Sequence, residues 1–257
     1  MALLDGKNIL ITGVLTDDSL AFGIAKQSID HGANIVLTGA GRGLSLTKRT
    51  ARKLSADVEV LELDVTNQDQ YTNVVDQLQS KWTQLDGLIH AIGFAPENCL
   101  GGDIMKASWP EVATAIEISA YSLKSLCQAF LPLLEKSPSA SVVGLDFDAR
   151  FAWPAYDWMG IAKASLESLS RYLARDLGEK NIRVNLVAAG PIRTMAAKSI
   201  PGFAEFEQAW NTRAPLNWDV RDSSAVASAC VALLSDLFPM TTGELIHVDG
   251  GYHAIGA

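Results

Sequence analysis

Tyr156 and Lys163 are the two side chains whose types and spacing best suit chemistry. On a shared helix, seven residues at ~100° each sweep about 700°, about 20° short of two turns. Both would then project from one face, ~10 Å apart along the axis. A phenol so placed can polarise a substrate carbonyl. An ammonium two turns along can hold ribose hydroxyls and favour negative charge near the phenol. A surface stripe of one Tyr and one Lys has the same spacing, so the pair needs support from the rest of the chain.

Rival chemistries have no matching residues. No Gly-x-Ser-x-Gly elbow and no Walker sequence occurs. His31, His90, His247 and His253 lack metal-ligand spacing, so no metal is expected. Cys99, Cys127 and Cys230 are odd in number and far apart, which disfavours a disulfide framework and fits a reducing cytoplasm. A net charge of −8 without a Lys/Arg-rich run disfavours nucleic-acid binding. There is no apolar run of ~18 residues to span a membrane, and the first residues do not read as a secretory signal. With 257 residues, 48% of them hydrophobic, the chain can bury a large core and is expected to form one domain over 1–257.

The elements that must position the pair alternate. Short β-branched apolar runs at Asn8–Thr12, Asn34–Thr38, Val58–Leu63, Gly87–Ile92, Ser141–Asp146, Val184–Ala188 and Leu245–Val248 read as strands. Amphipathic stretches between them read as helices, one starting near Ser19 and others over roughly 42–54, 68–82, 108–135, 156–179 and 222–236. Repeated β-α-β with strands apolar on both faces predicts an α/β fold: a Rossmann-like, doubly wound parallel sheet with helices on both faces. Ligands in such sheets bind beyond the carboxyl ends of the strands.

Those ends carry suitable residues. Thr12-Gly13 follows the first strand, and Gly13 would let backbone approach a pyrophosphate while Ser19 opens a helix whose N–H groups favour anions. The Gly-x-Gly-x-x-Gly fingerprint is absent, and Ser19 as a plain N-cap is the alternative. Asp17 and Asp18 are expected to face solvent. The second strand ends in Gly39-Ala40-Gly41-Arg42, without the acid that usually grips the ribose of NAD. Arg42 could tolerate a phosphate or simply be solvated, so NADPH stays open beside NADH. Asp64, with Val65, can bond an adenine or cap the next helix. Gly93, after Ile92, would let backbone pass close to a ribose. Gly190-Pro191 fixes a turn after the sixth strand, and Thr194 can reach a phosphate. Ala196, Ile200, Phe203, Phe206 and Trp210 fall near helical spacing, interrupted by Pro201-Gly202. Two short helices forming an apolar lid at about 195–212 would fit, or a helix packed on the core. Trp153, Trp158 and Trp218 could wall the same pocket or simply pack.

Together these segments resemble enoyl-acyl carrier protein reductases of the short-chain dehydrogenase/reductase superfamily. The resemblance rests on Thr12-Gly13 with Ser19, Leu63-Asp64-Val65, Ile92-Gly93-Phe94, Asp146-Phe147-Asp148, Tyr156 through Lys163, Ala188 to Thr194, and Val248-Asp249-Gly250-Gly251. Ile118 to Ser122 and Gly144 to Asp148 look like the actinobacterial branch that contains the isoniazid target. That branch carries an acid where Gly41 stands here, and its lid is longer. Dehydrogenase-type members use Tyr-x3-Lys with an upstream Ser; here Met159 stands four before Lys163, and Ser141 lies early in its strand.

The resemblance implies a seven-stranded sheet, a cytoplasmic homotetramer, and NADH (or NADPH) as reductant of a trans-2-enoyl thioester on acyl carrier protein or coenzyme A in fatty acid biosynthesis. Hydride would go to C3 while Tyr156 donates to the thioester oxygen and Lys163 holds the nicotinamide ribose. Gly13, Ser19, Leu20, Ala40, Arg42, Asp64, Val65, Ile92, Gly93, Lys163, Ile192 and Thr194 are then the expected cofactor residues. Phe94, Phe147, Tyr156, Met159, Pro191, Met195, Ala196, Ile200 and Phe203 are the expected substrate residues. Lys198 and Arg213 are candidate contacts for an acidic carrier protein. A carbonyl (3-ketoacyl) reductase on the same fold and a non-catalytic dinucleotide-binding regulator are the alternatives.

Overall fold

A computed structural model describes residues 2–256, apart from the side chain of Ser199. Strands β1 (Asn8–Ile11), β2 (Asn34–Gly39), β3 (Glu59–Glu62), β4 (Gly87–His90), β5 (Ala140–Asp146), β6 (Ile182–Ala189) and β7 (Leu245–Val248) form one sheet in the order β3-β2-β1-β4-β5-β6-β7. Every neighbouring pair is parallel. All seven expected strands are present. β1 and β4 stop short of the expected Thr12 and Ile92, because the chain there turns out of the sheet. Thr12 Oγ1 donates to the Ile89 carbonyl at 2.9 Å and accepts from Ala91 N–H at 3.1 Å, tying the two carboxyl ends together.

Helices α1 (Leu20–Asp30), α2 (Gly41–Ala51), α3 (Gln68–Lys81), α4 (Trp109–Ile116), α5 (Ser122–Leu134), α6 (Asp157–Gly178), α7 (Phe203–Arg213) and α8 (Ser224–Leu234) follow. The two-residue strand period sorts the core into two layers. Ile9, Ile11, Ile35, Leu37, Ile89, Val143 and Val187 face α1, α2 and α8. Leu10, Val36, Leu88, Val142 and Leu186 face α3, α5 and α6. Each fully buried Leu or Ile contributes about 1.5–3 kcal/mol. Both faces must therefore be apolar, which is why the strands read as continuous runs.

The single helix expected over 108–135 is two helices joined by a π-helical segment, Glu117–Tyr121. The start follows the sequence rule: Glu111 accepts from the Ser108 N–H at 2.8 Å as a capping box. The π segment turns its side chains out of α-helical register. Ser119 thereby reaches the Gly93–Phe94 turn, accepting from Phe94 N–H at 2.9 Å and donating to its carbonyl at 2.8 Å.

From β1 the chain winds outward to β3, returns to β4, and then winds the other way to β7. That reversal between β1 and β4 opens a crevice at the carboxyl edge of the sheet.

Candidate active site

The crevice is a cavity of about 920 Å³, lined from the ends of β1 to β6 and from the segment 191–206. At its β1 side Gly13 has φ +82°, and a Cβ there would lie 2.0 Å from the Ala91 carbonyl oxygen. Only glycine meets both conditions. Ser19 caps α1, accepting from Phe22 N–H at 3.3 Å and donating to the Thr16 carbonyl at 2.7 Å. The first N–H groups of α1 have no helical acceptor and, with the helix dipole, suit a phosphate. Thr50 Oγ1 of α2 braces the loop through the Leu15 carbonyl at 2.9 Å. Asp17 and Asp18 are exposed, as expected, and Asp17 pairs with Lys53.

Asp64 does not cap α3, which Asn67 does. Its Oδ1 accepts from the Thr66 N–H and hydroxyl, at 3.0 and 2.8 Å, which leaves Oδ2 available to a ligand at the cavity wall. Leu20, Ala40, Val65, Ile92, Gly93, Ile192 and Thr194 also line the cavity. Arg42 does not: it is exposed on the first turn of α2. A dinucleotide fits this set, since the backbone cradle at Gly13, the helix N-terminus and the Asp64 carboxylate are what its phosphates and adenine require.

Tyr156 and Lys163 both line the cavity. The helical stripe expected of them is only partly right. Tyr156 is the N-cap of α6 rather than a residue within it, flanked by Ala155 at φ +56° and Asp157 at φ +37°. Left-handed backbone costs a non-glycine residue roughly 1–2 kcal/mol. The loop before α4 holds it in place: Gly101 N–H donates to the Ala155 carbonyl at 3.0 Å, and Gly102 N–H to Asp157 Oδ2 at 2.6 Å. Ala155→Gly is therefore expected to leave stability unchanged or raise it by up to about 1 kcal/mol in urea unfolding. The same change in a helix costs ~0.5–1 kcal/mol.

The electrostatics favour a neutral phenol. Burial, then the charge of Asp146, pushes the Tyr156 hydroxyl well above its ordinary value. It is thus a hydrogen-bond donor across the physiological range. Lys163 Nζ donates to the Leu145 carbonyl at 2.8 Å and lies 3.9 Å from Asp146 Oδ1. Burial lowers the ammonium, with Asp146 opposing. Burial pushes the Asp146 carboxyl above the usual carboxylate range, against the pull of Lys163. Both Asp146 oxygens are buried without a hydrogen-bond partner. Asp146 stands at the end of β5 as Asp64 stands just past β3, and the rule that singled out Asp64 would have found it.

His90, the last residue of β4, is fully buried with Nε2 2.8 Å from Ser122 Oγ. Burial, then the Lys163 charge, lowers it from 6.5 to about 3. Between those values the unfolded chain binds a proton that the folded protein refuses, so stability falls as pH drops from 6.5 toward 3. The slope is about 1.4 kcal/mol per pH unit. His90→Gln is expected to narrow the gap in urea stability between pH 7 and pH 5 by about 2 kcal/mol.

The segment expected as a lid is a 3-10 turn, Ala197–Ser199, and α7, separated by Gly202 at φ +74°. Phe94, Phe147, Met159, Pro191, Met195, Ala196, Ile200 and Phe203 line the cavity with Tyr156. Gly190 has a role that the turn reading missed. A Cβ there would come within 2.7–2.9 Å of the Trp218 and Trp210 indoles. None of the three tryptophans considered as pocket walls lines the main cavity. Trp218 Nε1 donates to the Pro191 carbonyl at 2.8 Å, Trp158 Nε1 to that of Ile104 at 2.9 Å, and Trp153 packs behind Phe147. Arg213 reaches the Gly256 carbonyl at 3.1 Å and stacks over Tyr252, whereas Lys198 is exposed on the lid. Ile118 and Phe206 line the cavity too, the first without having been assigned to it and the second expected in the lid but not among the substrate residues. The first depends on the π segment, which leaves no mark in the sequence.

The sequence matches known proteins along nearly its whole length. The family model described as enoyl-(acyl carrier protein) reductase matches residues 13–253. An enoyl-acyl-carrier-protein reductase (NADH) of Mycolicibacterium smegmatis is 44% identical over 97% of each chain. One of Mycobacterium avium is 42% identical over 97% of each, and the FabI enzyme of Neisseria meningitidis is 40% identical over 98% of this chain and 97% of its own. The match along nearly the whole chain makes the protein a member of the enoyl-acyl carrier protein reductase family.

Proposed function

We propose that the protein reduces the C2–C3 double bond of a trans-2-enoyl thioester, carried on acyl carrier protein or coenzyme A, in fatty acid biosynthesis. NADH is the proposed reductant, as the printed names of the relatives specify it for them. Gly13, Ser19, Leu20, Asp64, Gly93, Lys163, Ile192 and Thr194 would hold the cofactor, which supplies hydride to C3 when bound. Tyr156 donates a hydrogen bond to the thioester oxygen as charge builds there. Lys163 holds ribose hydroxyls and adds positive potential beside the phenol. Phe147, Met159, Ile200 and Phe203 keep the acyl chain dry.

One observation carries this over ketone reduction. The carbonyl-reducing pattern needs a Ser near the Tyr, but Ser141 is buried at the far end of β5, donating to the Leu233 carbonyl at 2.8 Å. Met159 occupies the position four before Lys163 and has no proton to give. Steady-state rates with crotonyl, dodecenoyl and 3-ketoacyl thioesters, each with NADH and NADPH, test it. The enoyl substrates are expected to turn over with NADH and the ketoacyl ones not. Turnover of the ketoacyl thioester alone would overturn the reading, and NADH binding without any turnover would favour a regulator.

A carrier-bound substrate would meet the exposed lid. Lys198→Glu is expected to raise KM for the carrier-bound thioester several-fold while leaving the coenzyme A thioester unchanged. A cytoplasmic homotetramer is proposed. Trp109, Tyr121, Ile161 and Tyr172 expose apolar rings or chains along α4 to α6, and light scattering on the eluted protein reads the mass. No helix among the described residues is long and apolar enough to cross a membrane.

A further inference from the structure

The chain leaving β4 borders the crevice: Ala91, Ile92, Gly93 and Phe94 all line the main cavity. This stretch is fixed at two points. At its start, Ala91 N–H donates to Thr12 Oγ1 at 3.1 Å, which ties it to the end of β1. At its end, the Ser119 hydroxyl accepts from Phe94 N–H at 2.9 Å and donates to the Phe94 carbonyl at 2.8 Å. Only Ile92 and Gly93 stand between the two anchors. Gly93 has no side chain to pack, and a Cβ there would meet nothing within 4 Å. Phe94 is 50% exposed. Side-chain packing therefore does little to place the end of this stretch, and its backbone hydrogen bonds do more.

Ser119 is fully buried in the π segment Glu117–Tyr121. Such segments are rare and recur at functional sites. Three residues on, Ser122 is also buried. Its hydroxyl donates to the Ile118 carbonyl at 2.6 Å, so it accepts from His90 Nε2 at 2.8 Å. Two hydroxyls of one region thus hold two levels of the β4 end. Ser122 holds the last strand residue, His90, which lies outside the cavity lining. Ser119 holds the stretch that forms part of that lining.

We propose that Ser119 is a positioning residue for the cofactor, its hydroxyl fixing the Gly93–Phe94 backbone against which the dinucleotide binds. The proposal rests on the NADH reading above. Ser119 does not itself line the cavity, so it acts through Gly93 and Phe94 rather than by touching the ligand. A ligand that meets a prearranged backbone loses less in ordering it. Without the hydroxyl the stretch keeps one anchor, and NADH binding has to restore its position. That cost falls on cofactor affinity, leaving the chemical step at saturating NADH as it was.

Fluorescence titration of NADH beside steady-state kinetics with dodecenoyl coenzyme A thioester tests the role. Ser119→Ala is expected to raise the dissociation constant and KM for NADH about tenfold, the scale of one hydrogen bond's worth of order. Its kcat at saturating NADH is expected to stay within about twofold. Ser119→Cys keeps a weak donor and acceptor and is expected to give a smaller rise. Ser122→Ala removes an equally buried hydroxyl and reads general loosening. It is expected to lower the urea midpoint as Ser119→Ala does, with the NADH dissociation constant within about twofold of the unaltered protein. Unchanged NADH affinity in Ser119→Ala would overturn the role, as would an equal rise in Ser122→Ala or a loss confined to kcat. An unaltered protein that binds NADH but turns over no enoyl thioester would reject the enoyl reading alone, and the titrations would still decide the role of Ser119. One that binds no NADH would reject both.

Discussion

Tyr156→Phe is expected to lower kcat/KM for dodecenoyl thioester by about 10²–10³-fold, with the dissociation constant for NADH unchanged within about twofold. The magnitude is that of removing one donor aimed at a developing oxyanion. The expectation has a structural ground. The phenol is buried, its hydroxyl is held neutral by burial and by Asp146, and it lines the cavity without being part of the Gly13, Ser19 and Asp64 cradle. A phenylalanine keeps the ring contacts with Phe147 and Phe206, so the aromatic wall should pack as before. Fluorescence titration of NADH beside steady-state kinetics separates the two quantities. Full turnover in the variant would remove Tyr156 from the mechanism, and a matching loss of NADH affinity would assign it to binding instead.

Gly13→Ala should be the most damaging single methyl in the protein. Two costs add: about 1–2 kcal/mol for an L-residue at positive φ, and roughly 1–3 kcal/mol for forcing a Cβ into space already filled by the Ala91 carbonyl. A loss near 3 kcal/mol in urea unfolding is expected, together with a collapse of NADH affinity as the β1 turn moves. Gly93 supplies the contrast. It lines the same cavity, but a Cβ there meets nothing within 4 Å. Gly93→Ala should therefore weaken NADH binding while leaving the urea midpoint close to that of the unaltered protein. Equal midpoints for both variants would mean that the close approach at Gly13 is not the constraint described.

The strands were legible because burial on both faces demands unbroken apolar runs, and the strand-end rule led directly to Gly13, Asp64 and Gly93. The two short helices on either side of Pro201-Gly202 were legible from the spacing of Ile200, Phe203, Phe206 and Trp210. Other features depend on contacts remote in sequence. The left-handed residues around Tyr156 are held by Gly101 and Gly102, more than fifty residues earlier. The π segment holds Ser119 against the Phe94 backbone, a contact twenty-five residues apart in sequence. Trp153 and Trp218 have the composition of pocket walls, but their indole N–H groups are claimed by the Asp148 and Pro191 carbonyls, which fix them elsewhere. Arg42 sits at the right place in the chain for a phosphate, yet the first turn of α2 carries it into solvent.

The sheet order also sets a hazard during synthesis. β4 sits at the centre of the finished sheet, paired with β1 on one side and β5 on the other. When β4 leaves the ribosome, β1 is already made, but β5 is still about fifty residues away. At ~5–20 residues per second, the apolar edge Gly87–His90 waits roughly three to ten seconds for its second neighbour. For that interval the nascent chain carries an unpaired parallel edge, the kind of surface that recruits other chains or a chaperone.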